Sequence, residues 1–157
     1  MRNQYKVLAE KYNLIQEGIE EKYRSEAVEL YNMFKDKPGF RYFAEWLLYQ
    51  NSWFTDQEYK NLDNNWDYED AMCDYLEDNL ENHVQNIADY HYDNSNDVDM
   101  VDIAEEAWDR AVQDLNEMYD KFIKNKKSLS YKRWEAYKAA AKALQKQNKS
   151  VGINLDL

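Results

Sequence analysis

Apolar residues recur at intervals of three and four along most of the chain, the spacing that places them on one face of an α-helix. The first stripe runs through Tyr5, Leu8, Tyr12, Ile15, Ile19, Tyr23, Ala27, Leu30 and Phe34. Pro38 has no backbone N–H and Gly39 permits unusual dihedrals, so this segment should end the helix. The next segment, "FRYFAEWLLYQ" over residues 40–50, predicts a short and mostly buried helix.

Thr55 and Glu58 in "TDQE" match a capping box, which predicts another helix start. A long amphipathic helix follows from about Asp67 to Tyr92, with an apolar side formed by Tyr68, Met72, Leu76, Leu80, Val84, Ile87 and His91. The polar segment "DNSND" then interrupts the pattern, and Asp97 at its end suits an N-cap. The stripe of the next helix is Val101, Ala104, Trp108, Ala111, Leu115, Met118 and Phe122.

A last helix opens at Ser130, and its spacing predicts inward-facing Trp134, Tyr137, Ala141 and Leu144. It belongs to a basic C-terminal segment over residues 121–149, and the tail over 150–157 is interpreted as an extended strand or a frayed end. We predict an all-α fold for the 157 residues. It should be a single-domain bundle of five or six helices, with an acidic central helical pair and a basic C-terminal helix.

Charge divides the chain into three parts. Residues 1–50 hold eight acids and eight bases, residues 51–120 hold 21 acids against Lys60 and Arg110, and residues 121–157 hold ten bases against two acids. Their net charges of 0, −19 and +8 add to the formal −11. The charge is therefore polarised along the chain.

Carboxylates recur three or four residues apart on the two central helices, opposite the apolar stripes. Like charges at this spacing destabilise a helix by roughly 0.2–0.5 kcal/mol per pair, and Asp is a weaker helix former than Glu. Asp nevertheless outnumbers Glu by 14 to 7 in residues 51–120, which favours a basic partner surface as compensation. The predicted partner-binding residues are Asp67, Asp70, Asp74, Glu77, Asp78, Glu81, Asp99, Asp102, Glu106 and Asp109.

A DNA-mimicking role follows from the same spacing. An α-helix rises 1.5 Å per residue, so acids three or four residues apart lie about 5–6 Å apart along the helix, similar to successive phosphates of one nucleic-acid strand. The short Asp side chain holds its charge close to the backbone. Two such helices side by side would imitate a polyanion and be steered toward a positive cleft.

Two alternatives stay open. The basic segment "KNKKSLSYKRWEAYKAAAKALQKQNK" would neutralise the acidic helices if it folded against them, which would leave a solvated face. The protein would otherwise be an acidic helical structural or assembly protein, or an antitoxin-like protein that binds a basic partner. Direct nucleic-acid binding through the basic helix, with Tyr131, Trp134 and Tyr137 available for stacking, is disfavoured by the net charge.

Enzyme, cofactor and metal motifs do not occur. The di-iron Glu-x-x-His signature is absent at His83 and His91, which are interpreted as partly buried residues at the edge of the apolar stripe. An EF-hand counted from Asp93 has Val98 and Ala104 where Gly and Glu belong. Cys73, the single cysteine, is interpreted as a small core residue. We predict a non-enzymatic cytoplasmic protein that needs neither cofactor nor metal and does not contact the membrane.

The chain resembles small phage-encoded inhibitors of bacterial defence, the anti-restriction and anti-CRISPR proteins. The resemblance is strongest over residues 56–120, in the Asp- and Tyr-rich segments "DYLEDNLENHVQNIADYHYD" and "DMVDIAEEAWDRAVQDL", and no diagnostic motif aligns. It implies inhibition of a CRISPR effector or a restriction nuclease by occupation of its basic groove. The basic C-terminal segment departs from a purely acidic mimic and leaves open a second surface, for guide RNA, a homodimer or another face of the target.

Overall fold

A computed structural model describes residues 23–63, 65–94 and 98–150, with side chains to residue 147. The described residues form six helices: α1 over residues 23–34, α2 Phe40–Gln50, α3 Asp56–Lys60, α4 Tyr68–Asp93, α5 Met100–Lys124 and α6 Leu129–Ser150. Within these ranges there is no β-strand, so the all-α fold class is confirmed. The stripe predicted over residues 5–19, the predicted cap Asp97 and the tail beyond residue 150 lie outside the described residues.

The described residues fall into two compact units, and the chain passes through each unit twice. The first unit contains residues 23–36 and 67–117, and the second contains residues 37–66 and 118–150. The boundary divides α5, whose last turns belong to the second unit. This division is finer than the single bundle that the periodicity predicts.

The first unit packs α1, α4 and most of α5. Its core contains the predicted residues of α1 and α4 within the described range: Tyr23, Ala27, Leu30, Phe34, Met72, Leu76, Leu80, Val84 and Ile87. Helices α4 and α5 are antiparallel, because His91 near the end of α4 lies beside Glu106 and the earlier His83 lies beside Asp114. The stripe of α1 within the described range is therefore confirmed, and so is that of α4 except at its two ends, where Tyr68 and His91 are half-buried.

The stripe predicted at the start of α5 is wrong by one position. The buried side chains there are Met100, Ile103 and Ala107. Val101 is 60% exposed, and Ala104 and Trp108 are half-buried. Both sets have helical spacing, and packing against α4 selects the first.

Asp99 caps α5. Its carboxylate accepts a hydrogen bond from the N–H of Val101 at 3.1 Å, and its carbonyl accepts one from Ile103 at 3.1 Å. The side-chain bond satisfies one of the backbone donors that the first turn of a helix leaves unpaired, and the carbonyl bond is the first regular bond of the helix.

The second unit has an aromatic core. The ring of Phe43 on α2 packs against Phe122 of α5 and Trp46, with centroid distances of 6.0 and 6.5 Å. The predicted capping box at Thr55 is present and begins α3. Gly39 precedes α2 with φ 69°, and a Cβ there would lie 2.6 Å from the Trp134 ring, so the bend at Pro38 requires glycine. The predicted end of α1 before this bend is confirmed.

The inward face predicted for α6 is only partly correct. Trp134 is half-buried, and so is Ala141, whereas Tyr137 and Leu144 are 56% and 50% exposed. The buried anchors of α6 are instead Ser130 and Tyr131 in its first turn. The second half of this helix therefore shares few of its side chains with the core.

Candidate partner-binding surface

The ten predicted carboxylates all lie on or next to α4 and α5 of the first unit, and none is buried. Glu77, Glu81 and Glu106 are half-buried and the other seven are exposed. The opposite sides of both helices supply the core, as the amphipathic pattern predicts. Exposure alone does not make these groups equivalent, because their local partners differ.

Two of the ten cap helices. Asp67 accepts a hydrogen bond from the N–H of Asp70 at 3.2 Å at the start of α4, and Asp99 has the corresponding role on α5. The charge of Asp67, together with a side-chain hydrogen bond, raises the pKa of Asp70. Like charges are therefore crowded where α4 begins, close to the positive end of the helix dipole.

Arg24 of α1 neutralises part of the α4 row. Its Nη1 lies 2.7 Å from Asp74 Oδ1 and 3.3 Å from Glu77 Oε2. The hydrogen bond to Asp74 is the main cause of a raised pKa of Arg24, against the opposing effect of burial. Because Arg24 lies 50 residues from Asp74 in the chain, the spacing along α4 contained no sign of this pair.

The α5 row also has local partners. Glu106 Oε1 accepts a hydrogen bond from Arg110 Nη2 at 2.9 Å, and its Oε2 lies 3.7 Å from His91 Nε2. His83 Nε2 lies 2.8 Å from Asp114 Oδ2. The two histidines have 19% and 20% exposed side chains, so their interpretation as partly buried residues beside the apolar stripe is confirmed.

The two acidic rows border different grooves. The α4 row lies beside Arg24 of α1, whereas Glu106 of the α5 row lies beside His91 of α4. The carboxylates therefore flank both edges of α4. Among the residues that the structure describes, six exposed members form no ion pair. Two of these cap helices, Asp67 and Asp99, and the other four are Asp70, Asp78, Asp102 and Asp109.

Cys73 lies beneath this surface, in the core of the first unit. It is buried, and burial raises the pKa of its thiol. A thiol that resists ionisation is a poor nucleophile, so the interpretation of Cys73 as a small core residue is confirmed.

Sequence reasoning missed a buried ion pair in the second unit. Glu45 of α2 is 2% exposed, and its Oε1 lies 3.3 Å from Arg133 Nη1 of α6. Arg133 Nη2 also donates to the carbonyls of Tyr59 and Lys60, at 2.8 and 2.9 Å, at the end of α3. Burial raises the pKa of Glu45 to about 7, against the attraction of Arg133 and Arg41. The available signal was a single acid inside the apolar run "FAEWLL".

No group of three or more His, Cys, Asp or Glu side chains in the described ranges is arranged to hold a metal ion. None of the described helices has the length and apolarity needed to cross a membrane. No protein-family model matches the chain, and no curated protein or solved structure matches it either.

Proposed function

We propose that the protein inhibits a nucleic-acid-processing bacterial defence enzyme, either a CRISPR effector or a restriction nuclease. The acidic surface of α4 and α5 would occupy the basic groove of this enzyme in place of DNA or guide RNA. The observation that supports the proposal best is the set of four exposed aspartates, Asp70, Asp78, Asp102 and Asp109, which form no ion pair with any described residue. The proposal expects the charge of these aspartates to attract a basic partner.

Electrostatics explains why these positions would bind. Asp70 and Asp78 are eight residues apart on one helix, which corresponds to about 12 Å along its axis, or roughly twice the spacing compared above with successive phosphates. A helix holds such charges at fixed positions, so little ordering is needed on binding. A protein with a formal charge of −11 would also be steered toward a basic groove, more strongly at low salt.

The proposal implies a cytoplasmic protein of an infected bacterial cell, acting without cofactor or catalysis. Its expected partner is the basic groove itself. The net charge opposes direct contact with nucleic acid through most of the surface. The basic helix α6 remains available for a second contact with the target, for guide RNA or for a homodimer.

The first experiment is capture of partners from bacterial lysate at two salt concentrations, after nuclease treatment to remove bridging nucleic acid. We expect recovery of a nucleic-acid-binding enzyme at low salt, loss at high salt, and competition by DNA or guide RNA. Capture that is unaffected by salt and by competing nucleic acid would contradict the proposal. Recovery of a basic toxin would instead assign the antitoxin-like role.

Charge reversal tests the surface with a matched control. One variant changes the four aspartates Asp70, Asp78, Asp102 and Asp109 to Lys and should lose the target. The control reverses four exposed acids elsewhere and should retain it, namely Glu29, Asp36, Asp120 and Glu135. Each set changes the formal charge from −11 to −3. An equal loss of binding in both variants would therefore show that binding depends on the net charge and not on the four aspartates.

Assembly is the second candidate function. Leu144, which is 50% exposed on the basic helix α6, favours it because it offers apolar area to a second helix. Tyr137 is exposed as well, although its ring also lies 6.1 Å from that of Tyr42. An acidic scaffold or oligomerisation module would form an oligomer that light scattering detects at both low and high salt. Substitution of Leu144 by Ser would then dissociate it, whereas the four aspartate reversals would have little effect.

A further inference from the structure

The first unit contains a cleft whose lining includes Asp109 of the acidic surface. It lies between α1 and α5 and has a volume of about 330 Å³, at the lower end of the range for small-ligand sites. Three of its lining residues are apolar, and we call them the floor: Val101, Ala104 and Trp108. The other three are acidic, and we call them the rim: Glu26, Glu105 and Asp109.

The floor consists of the residues that the sequence pattern assigned to the core. Because Met100, Ile103 and Ala107 occupy the core instead, Val101 remains 60% exposed and Trp108 remains half-buried. Large apolar side chains that remain in contact with water next to a concave surface mark binding sites more often than isolated ones do. The cleft thus presents apolar area that a ligand can cover.

The negative charge of the rim favours a cationic ligand. Glu105 and Asp109 are four residues apart on α5, both exposed, and a cation between them would relieve the repulsion of like charges at this spacing. An anion or a purely apolar group would meet these carboxylates unfavourably. Charge complementarity therefore selects a ligand with an apolar stem and a cationic end.

We propose that the cleft binds an arginine side chain of a basic protein partner. The aliphatic stem would cover Val101 and Ala104, while the guanidinium would lie against the Trp108 ring and donate hydrogen bonds to the carboxylates of Glu105 and Asp109. Arginine fits better than lysine because its planar head both stacks on an aromatic ring and pairs with a carboxylate. The inference rests on the proposed function only for the source of the arginine, which would be the rim of the target's basic groove.

Direct titration with an acetylated, amidated tetra-arginine peptide tests the cleft without the target. We expect saturable binding that shifts the Trp108 indole N–H signal in NMR spectra, assigned by its disappearance in Trp108→Leu. The double variant Glu105→Gln/Asp109→Asn should weaken binding about five-fold or more. The matched control Asp120→Asn/Glu135→Gln removes the same charge at exposed positions of the second unit and should weaken it by less than about two-fold.

Three results would overturn the inference. Equal weakening in both double variants would indicate diffuse attraction, and a Trp108 signal that does not move would place the peptide elsewhere. Tetra-lysine binding as tightly as tetra-arginine would remove the role of the ring.

The target capture distinguishes this inference from the proposed function. If the peptide binds at Trp108 but the lysate yields no nucleic-acid-binding enzyme, the cleft stands and the proposed function fails. If the enzyme is captured and Trp108→Leu retains full affinity, the proposed function stands and the cleft proposal fails.

Discussion

The buried carboxylate Glu45 should make the protein less stable as the pH rises through neutrality. Burial moves its pKa from 4.5 to about 7 in the folded protein, so the folded state holds the proton more tightly than the unfolded chain does. This contribution to stability is complete below pH 4.5 and is lost as the pH rises to and beyond about 7. Since each pKa unit corresponds to about 1.4 kcal/mol, the loss amounts to about 3 kcal/mol by pH 8.

The substitution Glu45→Gln isolates this effect. Glutamine resembles the protonated acid in shape and can still accept a hydrogen bond from Arg133, but it does not ionise. The variant should be within about 1 kcal/mol of the wild type at pH 5 and about 3 kcal/mol more stable at pH 8. The measurement is urea-induced unfolding at pH 5, 6, 7 and 8, followed by far-UV circular dichroism and tryptophan fluorescence.

The opposite result has a clear meaning. Removal of one partner from a buried ion pair commonly destabilises a protein by about 3–5 kcal/mol. If Glu45→Gln lost that much at pH 8, the attraction of Arg133 at 3.3 Å would outweigh the burial of the carboxylate and the reasoning would be refuted. Glu135→Gln, at an exposed position of α6, controls for the loss of one negative charge.

Three further predictions concern single positions. Tyr59→Phe removes the hydroxyl that accepts the buried Ser130 N–H at 3.1 Å, and thermal or urea unfolding should show a loss of about 1–3 kcal/mol. Gly39→Ala places a Cβ 2.6 Å from the Trp134 ring at φ 69°, and unfolding should show a loss of roughly 1–2 kcal/mol from the backbone alone. Arg24→Gln removes a surface ion pair, so stability should change by less than about 1 kcal/mol. Target capture should nevertheless tolerate more salt, because two α4 carboxylates lose their internal cation.

Matched substitutions separate these causes. Tyr49→Phe removes a hydroxyl whose hydrogen bond to Asp56 is exposed, and a loss as large as that of Tyr59→Phe would contradict the role of burial. Asn tolerates positive φ better than Ala, so an equal loss in Gly39→Asn would assign the effect to the ring contact. If the Arg24→Gln variant captured its target less strongly than the wild type, the result would count against an acidic recognition surface.

The helical pattern was predictable wherever one apolar face stood out against polar neighbours. On α4 only one stripe is apolar, so its buried residues, such as Leu76 and Ile87, followed from spacing. At the start of α5 two adjacent stripes are apolar, and periodicity cannot choose between Val101 and Met100. The choice depends on the rotation of α5 against α4, which is a property of tertiary packing.

The positions of the acidic residues were predictable for the same reason, whereas their partners were not. A carboxylate opposite an apolar stripe must face outward, which fixed Asp78 and Asp102 on the surface. Arg24 comes from a helix 50 residues away, and Arg133 lies 88 residues from Glu45. Pairing over such separations depends on how the helices pack, and the charge pattern of one segment contains no information about it.

The second half of α6 is held in its helical conformation mainly by its own backbone hydrogen bonds. The last buried side chain of this helix within the described residues is Tyr131, and every side chain from residue 132 to residue 147 is exposed or half-buried. Isolated helices shorter than about 12–15 residues are marginal in water, although the alanines and lysines here are good helix formers. Amide hydrogen exchange should therefore quicken along α6 while α2 remains protected. A partner that binds this end would appear as new protection in a segment that can open without unfolding the rest of the protein.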